Sequence, residues 1–98
     1  MNIVEDFENF HRNNPHVYEV LVRLTRQWVS RFGREHTGIA RIYEAARWEI
    51  AMSTDDPTFK INNNYKAFYA RLIMRREKDL DGLFKLRKSA ADTWESAA

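Results

Sequence analysis

Apolar residues recur along most of this chain at the three- and four-residue spacing of amphipathic helices, and polar breaks mark where each helix stops. The first such segment is IVEDFENFHR, residues 3–12, with Val4, Phe7 and Phe10 at spacing three. NNPH interrupts it. Asn14 is placed to cap a second helix and Pro15 to take its first position, where a missing N–H costs nothing. From Pro15 to Phe32 the period is carried by Val17, Val20, Leu21, Leu24, Trp28 and Phe32, and Gly33 is a natural stop. Thr37 is read as the cap of GIARIYEAARWEIAM, whose stripe is Ile39, Ile42, Tyr43, Ala46 and Ile50, with Arg41, Glu44, Arg47 and Glu49 on or beside the other faces.

STDDPTFK is dense in turn residues and reads as a loop, after which Phe59 and Ile61 tuck into the core. Tyr65, Phe68, Tyr69, Leu72 and Ile73 then predict a helix from about Asn64 to Glu77. The segment DLDGLFKLRKSA, residues 79–90, reads as a last helix capped by Asp79 or Asp81, with Gly82 near its start counting against it. The pattern therefore predicts one all-α domain over residues 1–98. It is a compact bundle of four main helices plus a short N-terminal helix, with a core from about 4 to 88. The tail 89–98 is expected to fray, except that Trp94 has the character to dock.

The composition supports a self-sufficient core. Hydrophobic residues make up 44% of the chain and aromatics 13%, and each aromatic side chain buries roughly 150–250 Å². There is no cysteine, which removes disulfides, thiolate metal sites and a cysteine nucleophile together, and fits a reducing cytosol. The acidic start MNIVEDFENF is not a signal peptide, and no apolar run approaches the ~18 residues of a membrane span. The expected location is cytoplasmic, without membrane contact.

The net charge of +2 is unevenly spread. Residues 60–88 carry nine Lys and Arg against Glu77, Asp79 and Asp81, a local +6, whereas residues 1–14 hold Glu5, Asp6 and Glu8 against Arg12. A basic C-terminal half favours an anionic partner, nucleic acid first, although the same charge can simply solvate a helix face.

Signals for catalysis are poor. His11 and His16 straddle a helix break and His36 stands alone, so no metal-ligand spacing arises. H-E-x-x-H, P-loop and G-x-S-x-G motifs are absent. The expectation is a protein that is not an enzyme and needs no cofactor.

Nucleic-acid binding has three supports. The order of helices suits a helix-turn-helix variant, although the linker from Ser53 to Asn63 is much longer than the usual turn of 3–4 residues. A helix burying Tyr65, Phe68, Tyr69 and Leu72 would expose Lys66, Ala67, Ala70, Arg71 and Met74. In FKINNNYKAFYAR the three amides Asn62, Asn63 and Asn64 exceed what one helix cap requires, and an amide can pair with an adenine edge. The candidate DNA contacts are Asn62, Asn63, Asn64, Lys66 and Arg71, with Lys60 and Arg75 on phosphates. Arg23, Arg26, Arg31, Arg34, Arg41 and Arg47 offer further phosphate contacts.

The segments FENFHRNNPHVYEVLVRL, ARIYEAARWEI and FKINNNYKAFYARLIM together resemble a group of small, largely uncharacterised proteins encoded by bacteriophages and prophages. The likeness spans residues 7 to 88. Its most specific parts are the Asn-Pro after the first helix, Trp48-Glu49, and the run from Phe59 to Asn64 followed by Tyr69-Ala70-Arg71. The resemblance implies a phage or prophage origin and action in a bacterial cytoplasm, and it brings no catalytic residue. Small phage proteins of this size are commonly transcription or replication accessories, or inhibitors of a host protein. The first reading is thus a DNA-binding regulatory protein, for which homodimerisation would suit paired half-sites. The alternative is an inhibitor or adaptor that binds a host enzyme or defence complex, and a weaker third is a structural accessory of the virion or replication machinery. An aromatic or methionine hot spot would favour the protein-binding alternative.

Overall fold

The computed structural model describes residues 2–35, 37–86, 89–92 and 94. The fold is all-α, with helices α1 (Ile3–Asn13), α2 (Pro15–Phe32), α3 (Ile39–Ser53) and α4 (Lys66–Arg76) and two short 3-10 turns at Asn63–Tyr65 and Lys78–Leu80. Its extents of 34 × 33 × 19 Å make it a slab about two helix diameters thick. No helix among the described residues is long and apolar enough to cross a membrane.

Helix starts and stops follow local chemistry. The Asn2 side chain accepts the Glu5 N–H at 2.9 Å and caps α1. Pro15 opens α2 and Gly33, at φ +84°, closes it with its N–H on the Val29 carbonyl at 2.8 Å. Two expected caps do not form. Asn14 sits at the α2 N-cap position, but its amide donates backward to the Phe10 carbonyl at 2.9 Å and ties the two helices together. Gly38, not Thr37, precedes α3; the Thr37 hydroxyl donates to the Gly33 carbonyl at 3.4 Å.

The core is built where the period placed it on α2 and α3: Val17, Leu21, Ile42, Tyr43, Ala46 and Ile50 are buried. Ile61 joins them, and Phe59 packs half-buried against Phe10 and His16. The largest departure is α4. Every residue from Phe68 to Met74 is buried, so α4 is the central helix and has no free outer face over those seven positions. The reason lies downstream. Among the described residues the expected helix over residues 79–90 does not form: Gly82 adopts φ +73°, and residues 81–86 run irregularly, setting Leu83 and Phe84 into the core. The Phe84 N–H reaches the Met74 Sδ at 3.3 Å.

Further on, Ala91 is fully buried, and Trp94 packs edge-on against Phe7 and Phe68 at 5.5 and 5.7 Å. The part of the tail that is described is therefore docked, not frayed; Arg87, Lys88, Thr93 and residues 95–98 lie outside the described residues.

The turn at residues 77–82 is pinned to α2 by a charged network. The Tyr18 hydroxyl donates to Glu77 Oε2 at 2.7 Å, Arg26 bridges Glu77 and Asp79, and Arg34 donates to the backbone carbonyls of Asp79 and Asp81. The Tyr18 hydroxyl and Arg26 hold the Glu77 carboxyl below its ordinary range, and Arg26 does the same to Asp79.

All four tyrosines, Tyr18, Tyr43, Tyr65 and Tyr69, have their phenol pKa raised, with burial the largest cause in each. A folded pKa above the unfolded value of about 10 means that this stability is complete below pH ~10 and is lost as pH rises beyond it. Tyr43 and Tyr69 have no exposed surface, so their phenols ionise only when the fold opens. Each should remove at most about 1.4 kcal/mol per pH unit. The urea midpoint should hold steady to about pH 9.5 and then fall, with tyrosinate absorbance from these two rings appearing only on unfolding. Ionisation of Tyr43 and Tyr69 near pH 10 in the folded protein would contradict their burial.

Candidate docking face

The α3 stripe that enters the core leaves the opposite side of the helix open, because the slab has no third layer. Along that side lie Arg41, Ala45, Trp48 and Met52, three or four residues apart and so stacked one above the other. Trp48 is 70% exposed and Met52 69% exposed. Charges on the flanks are internally satisfied: Glu49 pairs with Arg23 of α2, and Arg47 pairs with Glu44 at 3.1 Å.

Apolar surface continues toward α2. Phe32 is 54% exposed because α2 outruns the core at its last turn, and its ring lies tilted against Trp28 with the centroids 4.4 Å apart. The Arg41 guanidinium lies 5.0 Å from the Trp28 ring. Between them is a groove of about 250 Å³ floored by Leu24, Ile42 and Ala45. On the other flank a cleft of about 410 Å³ separates α3 from the incoming strand of loop, bordered by Arg47, Ala51, Phe59, Lys60 and Asn63. The result is a wide aromatic and methionine face with shallow recesses on both sides.

The asparagine triplet borders this face, and most of it is structural. The Asn62 side chain accepts the Asn64 N–H at 2.8 Å and caps the 3-10 turn that leads into α4. Its backbone carbonyl accepts the Tyr43 hydroxyl at 2.6 Å. Asn63 accepts a hydrogen bond from Arg47, which also donates to the Ile61 carbonyl at 3.3 Å. These bonds lock the loop between α3 and α4. Asn64 is exposed, as is Lys60, and Lys66 is half-buried.

Arg71 cannot serve as an outward contact. It is 1% exposed, donates to the Ala67 carbonyl at 3.0 Å and forms an ion pair with Asp92. Ala70 and Met74, expected on the same outer face, are covered too. Burial of α4 also removes it as a helix that could lie in a groove. Arg75 remains exposed, at the far end of α4, with its guanidinium 5.0 Å from the Trp94 ring. Arg23, Arg26, Arg34 and Arg47, offered as phosphate contacts, are engaged within the fold.

Trp48 and Met52 were not among the expected site residues. The signal was present: once Ile42, Ala46 and Ile50 take the inner side of α3, a tryptophan at position 48 has to face away from the core. No protein-family model, curated protein or solved structure matches the chain. The molecule is thus defined by its own geometry, as a small all-α protein with an uncovered aromatic helix face.

Proposed function

We propose that this chain is a non-catalytic protein-binding regulator that presents the outer side of α3 to an apolar groove on a partner protein. The observation that carries this reading is the exposure of Trp48 and Met52 one turn apart. Large side chains of this kind are costly to leave in water, contiguous apolar patches on soluble proteins mark interaction surfaces, and tryptophan, methionine and arginine are enriched in interfaces. The charge on the face favours protein over nucleic acid. Arg47 and Arg23 are neutralised by their glutamates, Asp55 and Asp56 follow α3, and on this face Arg41 and Lys60 have no carboxylate within ion-pair distance among the described residues. Phosphate-backbone recognition needs a denser positive field. The DNA reading keeps Lys60, Asn64 and Lys66 as accessible groups but loses Arg71.

A photo-crosslinking residue placed at Trp48 or Met52 should capture one partner from bacterial lysate, whereas the same residue at the exposed Glu19 of α2 should not. Against the purified partner, Trp48→Ala should weaken binding by about 30-fold or more, as expected for a hot-spot tryptophan worth at least about 2 kcal/mol. The change in folding stability should stay within about 0.5 kcal/mol, because the side chain packs on little. Lys60→Ala and Lys66→Ala should leave affinity within about threefold. Steeply salt-dependent binding to DNA, lost with Lys60 and Lys66 and with no protein captured at position 48, would overturn the proposal and return the surface to nucleic acid.

A further inference from the structure

Two helices end at one place. The last turn of α1 carries His11 and Arg12, the last turn of α4 carries Arg75 and Arg76, and all four side chains line a single cleft of about 470 Å³. Phe7 and Trp94 form part of its apolar wall, and Glu8 supplies its one acidic side chain among the described residues. No residue of α3 borders it, so it is separate from the docking face.

Helix C-termini attract cations, and one basic residue at each end would be explained by the carbonyls alone. Three guanidiniums in one cleft exceed that. Their own partners also leave donors available. Arg75 lies over the face of Trp94 at 5.0 Å and Arg76 over Tyr18 at 5.5 Å. A cation–π contact of this kind uses no N–H donor, so it leaves the guanidinium's donors available. Arg12 donates one hydrogen bond to Asn9 Oδ1 at 3.0 Å. Among the described residues no carboxylate lies within ion-pair distance of any of the three, in contrast to Arg23, Arg26, Arg47 and Arg71. The His11 Nδ1 is buried without a hydrogen-bond partner among the described residues. Burial and then the Arg76 charge push the His11 pKa down, consistent with a guanidinium facing the ring.

From this convergence we propose that the cleft is a phosphate-binding site. Among the described residues three guanidiniums against Glu8 leave two positive charges, the complement of a phosphate dianion, and planar guanidinium edges match phosphate oxygens. The volume accommodates a small phosphorylated molecule beside the apolar wall. A nucleic-acid backbone offers the same group, so the shared chemistry is the phosphate itself.

The test is a ¹H–¹⁵N NMR titration of the intact chain with inorganic phosphate at constant ionic strength, with chloride as the matched salt. Saturable shifts should be confined to His11, Arg12, Arg75, Arg76 and the Trp94 indole. Arg75→Gln and Arg76→Gln should each weaken binding about tenfold, the loss expected for one charge-assisted contact. Lys60→Gln, outside the cleft, should not. Glu8→Gln should tighten binding, a gain that damage to the fold cannot produce. Titration with a nucleoside monophosphate and with a short thymidine oligonucleotide then separates the sources. Tighter binding of the mononucleotide points to a free ligand, and oligonucleotide shifts that spread to Lys60 and Lys66 point to a backbone. Equal shifts with chloride, or shifts scattered over every surface arginine and lysine, would overturn the proposal.

Discussion

Phe7→Ala should cost about 3–5 kcal/mol, the range for removing a fully buried phenylalanine and leaving a cavity. Phe7 is the one residue of α1 that is fully buried, at 1% exposure, and its ring centroid lies 4.9 Å from both Phe68 and Tyr69, 5.7 Å from Tyr65 and 5.5 Å from Trp94. It therefore joins α1, the centre of α4 and the segment that carries Trp94. Collapse into the vacated volume is restricted because each neighbouring ring is held by others. Against a total stability of ~5–15 kcal/mol for a domain of this size, the loss is a large fraction.

The melting temperature should fall by roughly 12–40 °C. Trp94 emission should move to longer wavelength in a chain where Trp28 and Trp48 are replaced by phenylalanine to isolate it. Phe10→Ala, at a half-buried ring, should cost about 1–2 kcal/mol by the smaller area removed. A Phe7→Ala loss below about 1 kcal/mol would mean that α1 is not part of the cooperative core. Because Phe7 also walls the phosphate cleft, the variant should lose phosphate affinity with its fold.

The parts of this architecture that were legible are the ones that local chemistry determines. Pro15 and Gly33 bound α2, and the period of Val17, Leu21, Ile42, Ala46 and Ile50 selects the inner faces of α2 and α3. What could not be read locally is which faces are covered by distant chain. Tyr65, Phe68, Tyr69, Leu72 and Ile73 look like the single stripe of a surface helix, and nothing within residues 66–76 says that Leu83, Phe84 and Ala91 return to cover the other side. The alternation of basic and small residues at Lys66, Ala67, Ala70 and Arg71 consequently suggested a binding surface where the fold has its centre. The asparagines misled for a related reason. An exposed amide has the same appearance in sequence whether it contacts a ligand or, like Asn62 and Asn63, holds a loop. The docking face was the converse case. Trp48 was placed outside by the α3 period, but an exposed tryptophan becomes informative only when the thin slab leaves it without a neighbour.

Asp92→Ala, at a residue whose side chain is 44% exposed, should destabilise the fold more than Arg71→Met, at a residue whose side chain is 1% exposed. Arginine cannot shed its proton, so a guanidinium held in the interior requires a facing anion, and removing one partner of such a pair costs more than replacing it by an apolar group of similar shape. Asp92 supplies that carboxylate, and its second oxygen accepts the Ser89 N–H at 3.0 Å, while the Ser89 hydroxyl accepts the Ala91 N–H at 3.1 Å. Loss of Asp92 therefore frees the turn that places Ala91 and Trp94 as well as removing the counter-charge.

About 3 kcal/mol is expected, at the low end for a buried pair because water reaches the aspartate side. That corresponds to a fall in melting temperature of roughly 12–24 °C. Arg71→Met keeps an unbranched apolar side chain in the space of the arginine stem, leaves Asp92 bonded to Ser89 and able to turn toward solvent, and should cost about 1–2 kcal/mol. Combining Asp92→Ala with Arg71→Met should restore part of the loss, giving a double mutant more stable than Asp92→Ala alone. If the two single variants rank the other way, Arg71 acts mainly through packing, and the ion pair is not what fastens residues 89–92 to α4.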